Sequence, residues 1–303
     1  MKKTGPVVSV LAAFILSSCT APPPQRDPFA SFKMSSTPQG GTKIFVSDVD
    51  TPSYKAKENP DNFALVIGIE KYMGIPDAQF AERDAATMLQ HLIALGYPER
   101  NIIHLSGNQA GRAGMEKYVE SWLPLNVNER SRVFFYFSGH GAPGVTSREA
   151  YLVPWDGDMQ FLENTGYSVK KLYKQLESLK AKEVLVAMDS CFSGAGGRSV
   201  IAKGMRPLVM KVDTGLSEDS KLLVFSASGP EEITGTDEAQ GHGLFTYYFL
   251  KALNDGKGKF SVNEVYDYLV PKVRNAARRQ NRDQSPRLLP VKLGKKGKLH
   301  LDR

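Results

Sequence analysis

Cysteine is nearly missing from this chain: 303 residues carry two, Cys19 and Cys191. Two thiols allow at most one bridge, so no disulfide framework can take the place of a hydrophobic core. Long apolar runs are missing as well. The stretch Val7 to Leu16 is too short to cross a bilayer as a helix. There is no internal repeat, which excludes a solenoid. From Phe63 onward no linker-like stretch interrupts the pattern, so one large domain is expected rather than two. Charge is not extreme either: the net +7, most of it in the C-terminal third, fits a solvated surface, an anionic membrane or nucleic acid and selects none of them. The 41% hydrophobic and 23% charged residues are those of an ordinary globular protein.

What is present begins with an export signal. Lys2 and Lys3 precede the apolar stretch, and Leu16-Ser17-Ser18-Cys19 closes it with small residues before a cysteine. That ending resembles a bacterial lipobox. The resemblance implies cleavage after residue 18, a diacylglyceryl group on Cys19 and a mature formal charge of +5, because the two lysines are lost. Thr20 follows the cysteine where an aspartate would favour the inner membrane, so an outer-membrane anchor facing the periplasm is expected. Residues 19–60, with Pro22-Pro23-Pro24 and many Ser, Thr and Gly, read as the lipidated cysteine and a flexible tether, and a short edge strand is expected near Val46. With Cys19 lipidated, Cys191 is a lone thiol in an oxidising compartment.

Residues 61–303 alternate strand and helix. The pattern predicts strands over 63–69, 101–105, 132–137, 151–154, 183–189 and 221–228. It predicts helices over 79–95 (closed by Gly96), 113–122 (stopped by Pro124), from the cap Ser168 to Leu179, and over 243–253. A last helix starts at Ser261 with Glu264 completing a capping box, and Pro271 should kink it. Phe245, Tyr247, Tyr248 and Phe249 read as core packing. The alternation argues for an α/β three-layer sandwich, a mostly parallel sheet with helices on both faces.

Functional groups in such sheets gather beyond the C-terminal strand ends. RVFFYF runs into Ser138-Gly139-His140-Gly141, and EVLVAM runs into Asp189-Ser190-Cys191-Phe192-Ser193-Gly194. If these strands are neighbours, His140 and Cys191 stand side by side as a thiol nucleophile and its acid/base partner require. The imidazole favours the thiolate and later protonates the leaving amine. The flanking glycines admit an acyl substrate, and the N–H groups of Gly141 and Cys191 are candidate oxyanion donors.

The pair SGHG and DSCFSG resembles the caspase/metacaspase superfamily of cysteine peptidases, in particular its bacterial metacaspase-like branch. Cys191 follows His140 by 51 residues, near the family spacing of about 50. ALVIGIEKY, Asp84-Ala85, AYLVPWDGD, SASGPEE and GHGLFTYYFLKAL resemble further family segments, so the likeness runs from Phe63 to about Leu253. It implies a caspase-haemoglobinase fold, His140 and Cys191 as catalytic dyad, and no obligatory cofactor. It divides the domain into a large-subunit-like part (61–193), a linker loop (194–220) and a small-subunit-like part (221–303). Metacaspases carry an aspartate two residues before the nucleophile and cleave after Arg or Lys. Asp189 holds that position, with Glu231 as a candidate second acid for a basic P1 side chain. Self-cleavage is expected after Arg198, Lys203, Arg206 or Lys211 in the linker loop. Some metacaspases need calcium; Asp156 and Asp158 are loop acids, and no metal site is assigned to them. Arg83 is expected in a structural ion pair. The stripe Arg274, Arg278, Arg279 and Arg282 reads as a solvated or headgroup-facing surface, with no nucleic-acid partner. The competing expectation is a catalytically silent caspase-like lipoprotein serving as an envelope binding or scaffold module.

Overall fold

The computed structural model describes Met1 and residues 45–144, 146–147, 149–192, 216–217, 219–229 and 232–302. In chain order the elements are β1 (Asn62–Gly68), α1 (Ala81–Ala94), β2 (Ile102–Ser106), α2 (Arg112–Lys117), α3 (Leu123–Asn126), β3 (Arg132–Ser138), β4 (Gly141–Pro143), β5 (Ala150–Leu152), α4 (Leu162–Thr165), β6 (Tyr167–Ser168), α5 (Val169–Ser178), β7 (Glu183–Asp189), β8 (Leu222–Ser226), β9 (Thr236–Asp237), β10 (His242–Gly243), α6 (Leu244–Asp255), α7 (Val262–Arg279) and β11 (Arg287–Leu289). The main sheet has the order β11-β8-β7-β3-β1-β2. All its pairings are parallel except that of β11 with β8.

Every residue of β1, β3 and β7 is buried, as continuous apolar runs in a sheet covered on both faces must be. The two-residue period sorts their side chains. Phe135 and Phe137 join one core with Met115 and Val119 on one side and Leu172 and Leu176 of α5. Phe134 and Tyr136 join the other, under α1, α6 and α7. Phe245 and Phe249 are fully buried and Tyr247 is 9% exposed. β4, β5 and β6 form a separate small sheet beyond the end of β3.

The caps behave as their chemistry dictates. Ser168 Oγ accepts from Lys171 N, and Ser261 and Glu264 complete the capping box. Gly96 closes α1 at φ 89, where a Cβ would lie 2.3 Å from Lys57 O. Two local expectations need correction. The helix after β2 is not stopped by Pro124; a π turn over Tyr118–Trp122 carries it into α3, and Pro124 falls in the first turn of that segment. α7 holds Pro271 within its span and runs on to Arg279; the carbonyl this proline leaves unbonded, that of Asp267, belongs to an exposed residue. No strand forms at Val46, which is 80% exposed.

The chain divides into compact units between Ile44 and Phe45. Residues 45–60, expected to be tether, therefore belong to the folded unit. They are held by polar contacts that no hydrophobic pattern announces: Ser47 Oγ donates to Gln240 Oε1 at 2.8 Å, and Lys251 Nζ meets Asp48 Oδ2 at 2.6 Å. Ala56 N donates to Ala94 O at 2.7 Å, and Asn59 N to Gly96 O at 2.8 Å. Arg83 pairs with Asp50 at 2.6 Å. Cys19 and the four basic linker residues lie outside the described residues.

Candidate active site

β3 and β7 are parallel neighbours of seven residues each, in a register that ends on Ser138 opposite Asp189. Gly139 N extends the ladder by one bond to Asp189 O at 3.3 Å. The chain then leaves both strands together, so His140 and Cys191, each two residues past that pair, occupy one sheet edge. Contact between the two loops is close: a Cβ on Gly141 would lie 2.7 Å from Cys191 O and 2.6 Å from Ser190 Oγ. Only glycine fits there.

His140 is 2% exposed. Its Nε2 lies 2.8 Å from Pro76 O, its main-chain N–H donates to Tyr72 Oη at 2.7 Å, and its carbonyl accepts from Val153 N at 3.0 Å. A carbonyl only accepts, so Nε2 carries the hydrogen and Nδ1 is the basic nitrogen of the neutral ring. Cys191 is fully buried, and its Sγ donates to Glu232 O at 2.9 Å. Glu232 itself is pinned: its carboxylate accepts from Gly229 N at 2.9 Å and Ser285 N at 2.6 Å.

Asp189 is fully buried and faces the start of α6. Its Oδ2 accepts from Thr246 N at 3.2 Å and Thr246 Oγ1 at 2.7 Å, and Tyr136 Oη lies 2.7 Å from the same Oγ1. The carboxylate thus sits at a helix N-terminus, where its charge meets the unpaired N–H groups and the dipole. Asp84 does the same one turn earlier. It is fully buried, and its carboxylate accepts from Gly243 N at 3.2 Å and Ser138 Oγ at 3.2 Å. Its Oδ1 lies 2.8 Å from His242 Nδ1, and His242 Nε2 is 3.1 Å from Asp50 Oδ1. Two buried acids therefore fasten α6 to the ends of β3 and β7.

Glu231 lies outside the described residues. Asp156 and Asp158 are engaged locally: the first accepts from Arg112 N at 2.8 Å, the second caps a turn through Gln160 N at 2.8 Å. Among the described residues no group of three or more His, Cys, Asp or Glu side chains could hold a metal ion. Sequence reasoning missed Tyr72, Pro76 and the Asp84–His242 pair as parts of this region. Tyr72 lies in ALVIGIEKY, His242 in GHGLFTYYFLKAL and Asp84 in Asp84-Ala85, but none of these segments says what its polar residues touch, and Pro76 lies in none of them.

Comparison with known proteins gives the family and the fold. A family model described as the caspase domain matches residues 61–296. A probable protease from a Desulfuromonadales bacterium is 28% identical over 236 residues, which is 69% of this chain and 28% of that longer relative. Among solved structures, a Geobacter sulfurreducens protein superposes with TM-score 0.56 at 18% identity, covering 76% of this chain and 93% of its own. Caspase-1 from Spodoptera frugiperda superposes with TM-score 0.52 at 13% identity, covering 81% and 93%. With the caspase domain matched over most of the chain, the chain belongs to the caspase-domain family of peptidases.

Proposed function

We propose that the chain is a cysteine endopeptidase in which Cys191 attacks the scissile carbonyl and His140 acts first as base, then as acid. The observation that carries this is the β3–β7 register, which ends both strands on Ser138 and Asp189 and releases His140 and Cys191 at one edge. In the reaction, Nδ1 of His140 takes the Sγ proton as the C–S bond forms. The oxyanion is met by the N–H groups of Gly141 and Cys191, and the same proton passes to the leaving amine as the C–N bond breaks. Water then repeats the sequence and releases the acid product. The Glu232 carbonyl accepts from the thiol but would repel a thiolate, so attack begins with Sγ turning away from it.

Asp189, with Glu231, gives the substrate preference: a buried carboxylate near the nucleophile favours Arg or Lys at P1. Cys19 carries the lipid that holds the enzyme at the outer membrane facing the periplasm, and basic residues of the linker loop are cut by the enzyme itself. No cofactor is needed.

The test is hydrolysis of peptides with Arg, Lys or Asp at P1, with and without calcium, beside Cys191→Ala. Cleavage after Arg or Lys that vanishes in the variant supports the reading. Cleavage after Asp alone removes the P1 assignment. The silent envelope module draws on the full burial of Cys191. Absence of any hydrolysis, together with no labelling of Cys191 by a thiol-directed acyl probe, selects it instead.

A further inference from the structure

His140 is gripped by the loop that follows β1. The loop is fixed at both ends: Met73 N donates to Trp155 O at 3.1 Å, and Ala78 N donates to Glu70 O at 2.8 Å. Two of its residues reach the histidine. Pro76 supplies the carbonyl at Nε2. Tyr72 touches it twice, accepting the main-chain N–H at its Oη, 2.7 Å away, and laying its ring against the imidazole with centroids 4.9 Å apart and planes tilted by 37°.

The neighbouring glycine is shaped around this contact. A Cβ on Gly139 would stand 2.6 Å from Tyr72 Oη and 3.1 Å from the Phe137 ring. The His140 amide is buried, so water does not replace the hydroxyl as its acceptor without cost. Main-chain position and ring plane together set where an imidazole nitrogen stands. Tyr72 contacts both the main chain and the ring of His140.

We propose that Tyr72 is a positioning residue for His140: its hydroxyl fixes the histidine's main chain and its ring fixes the imidazole plane, so that Nδ1 meets the Cys191 thiol and the leaving amine. The proposal rests on the Cys191–His140 peptidase reading. It separates from simple space-filling because the hydroxyl has its own task, which phenylalanine cannot perform.

Two variants divide the contributions. Tyr72→Phe keeps the ring and removes the acceptor; Tyr72→Leu removes both. Each is measured for kcat and KM on the best peptide, for the pH profile of kcat, for thermal unfolding, and for the imidazole titration of His140 by NMR on histidine-labelled protein. In Tyr72→Phe, kcat is expected to fall about tenfold with KM unchanged, the acid limb of the profile and the His140 resonances to move, and the unfolding temperature to stay near wild type. In Tyr72→Leu, kcat falls further, about a hundredfold. A Tyr72→Phe enzyme with wild-type kcat, pH profile and His140 resonances overturns the proposal. So does a kcat loss that follows only the loss of folded protein while the His140 resonances stay in place. If the wild type hydrolyses no peptide, the peptidase reading fails on its own, and the His140 resonances still decide whether Tyr72 positions the ring.

Discussion

Asp189 Oδ2 accepts two hydrogen bonds from Thr246, from the main-chain N–H at 3.2 Å and from Oγ1 at 2.7 Å. The acid proposed to select a basic P1 residue is therefore also the cap of α6. Thr246→Val removes one of the two donors and is expected to cost about 1–3 kcal/mol in urea unfolding, with the ratio of Arg to uncharged P1 cleavage unchanged. Asp189→Asn removes the charge, and that ratio should fall at least about tenfold as well. An unchanged ratio in Asp189→Asn would leave the capping role alone standing.

Cys191→Ala and His140→Ala should each lower kcat by on the order of 10⁴-fold or more, and the double variant should lose little beyond either single one, because the two groups act as one unit. Unfolding temperatures serve as the control. N-terminal sequencing of Cys191→Ala beside wild type checks self-cleavage: intact chains in both preparations would remove that part of the proposal.

His91 sits fully buried between Tyr54 Oη, 2.9 Å from Nδ1, and Val49 O, 2.8 Å from Nε2. Burial pushes it from 6.5 down to about 4. Well above pH 6.5 the ring is neutral whether the chain is folded or not. As pH falls toward about 4, the unfolded chain binds a proton that the folded one refuses, so stability is lost across that window, by about 3 kcal/mol at its lower end. His104, also held low by burial, acts in the same direction. Urea unfolding between neutral pH and the acid end of this window should show the decline. His91→Gln, which keeps a donor for Val49 O and does not titrate, should flatten it.

Arg132 and Glu183 form a buried ion pair at the start of β3 and β7, opposite each other in the register and at the far end from His140 and Cys191. Arg132→Met alone or Glu183→Gln alone strands a buried partner and should cost about 3–5 kcal/mol, whereas the double change to apolar residues should cost much less. Because Arg132 and Glu183 each precede the dyad residue of their strand by eight positions, at the opposite end of the sheet, kcat of the folded fraction should not change. Chemical unfolding beside active-site titration separates the two effects.

The apolar runs 132–137 and 183–189, each too short for a helix and bounded by polar residues, determined two buried strands, and SGHG and DSC at their ends determined which residues would stand at the sheet edge. Those are local properties, set by period and by turn chemistry. Ser168 and Ser261 announced their helices for the same reason. The sequence by itself could not determine that β3 and β7 are neighbours, because the chain between them passes through β4, β5, β6 and α5. Nor could it show that residues 45–60 belong to the folded unit, since they are held by hydrogen bonds between residues some 200 positions apart, such as Ser53 N to Asn254 Oδ1. Only tertiary structure gave Asp189 a helix to cap, gave His140 the Tyr72 hydroxyl and the Pro76 carbonyl, and set Cys191 Sγ on the Glu232 carbonyl. Polar partners chosen across the fold leave no periodic trace along the chain, because a hydrogen bond needs geometry at two atoms and not a pattern over many residues.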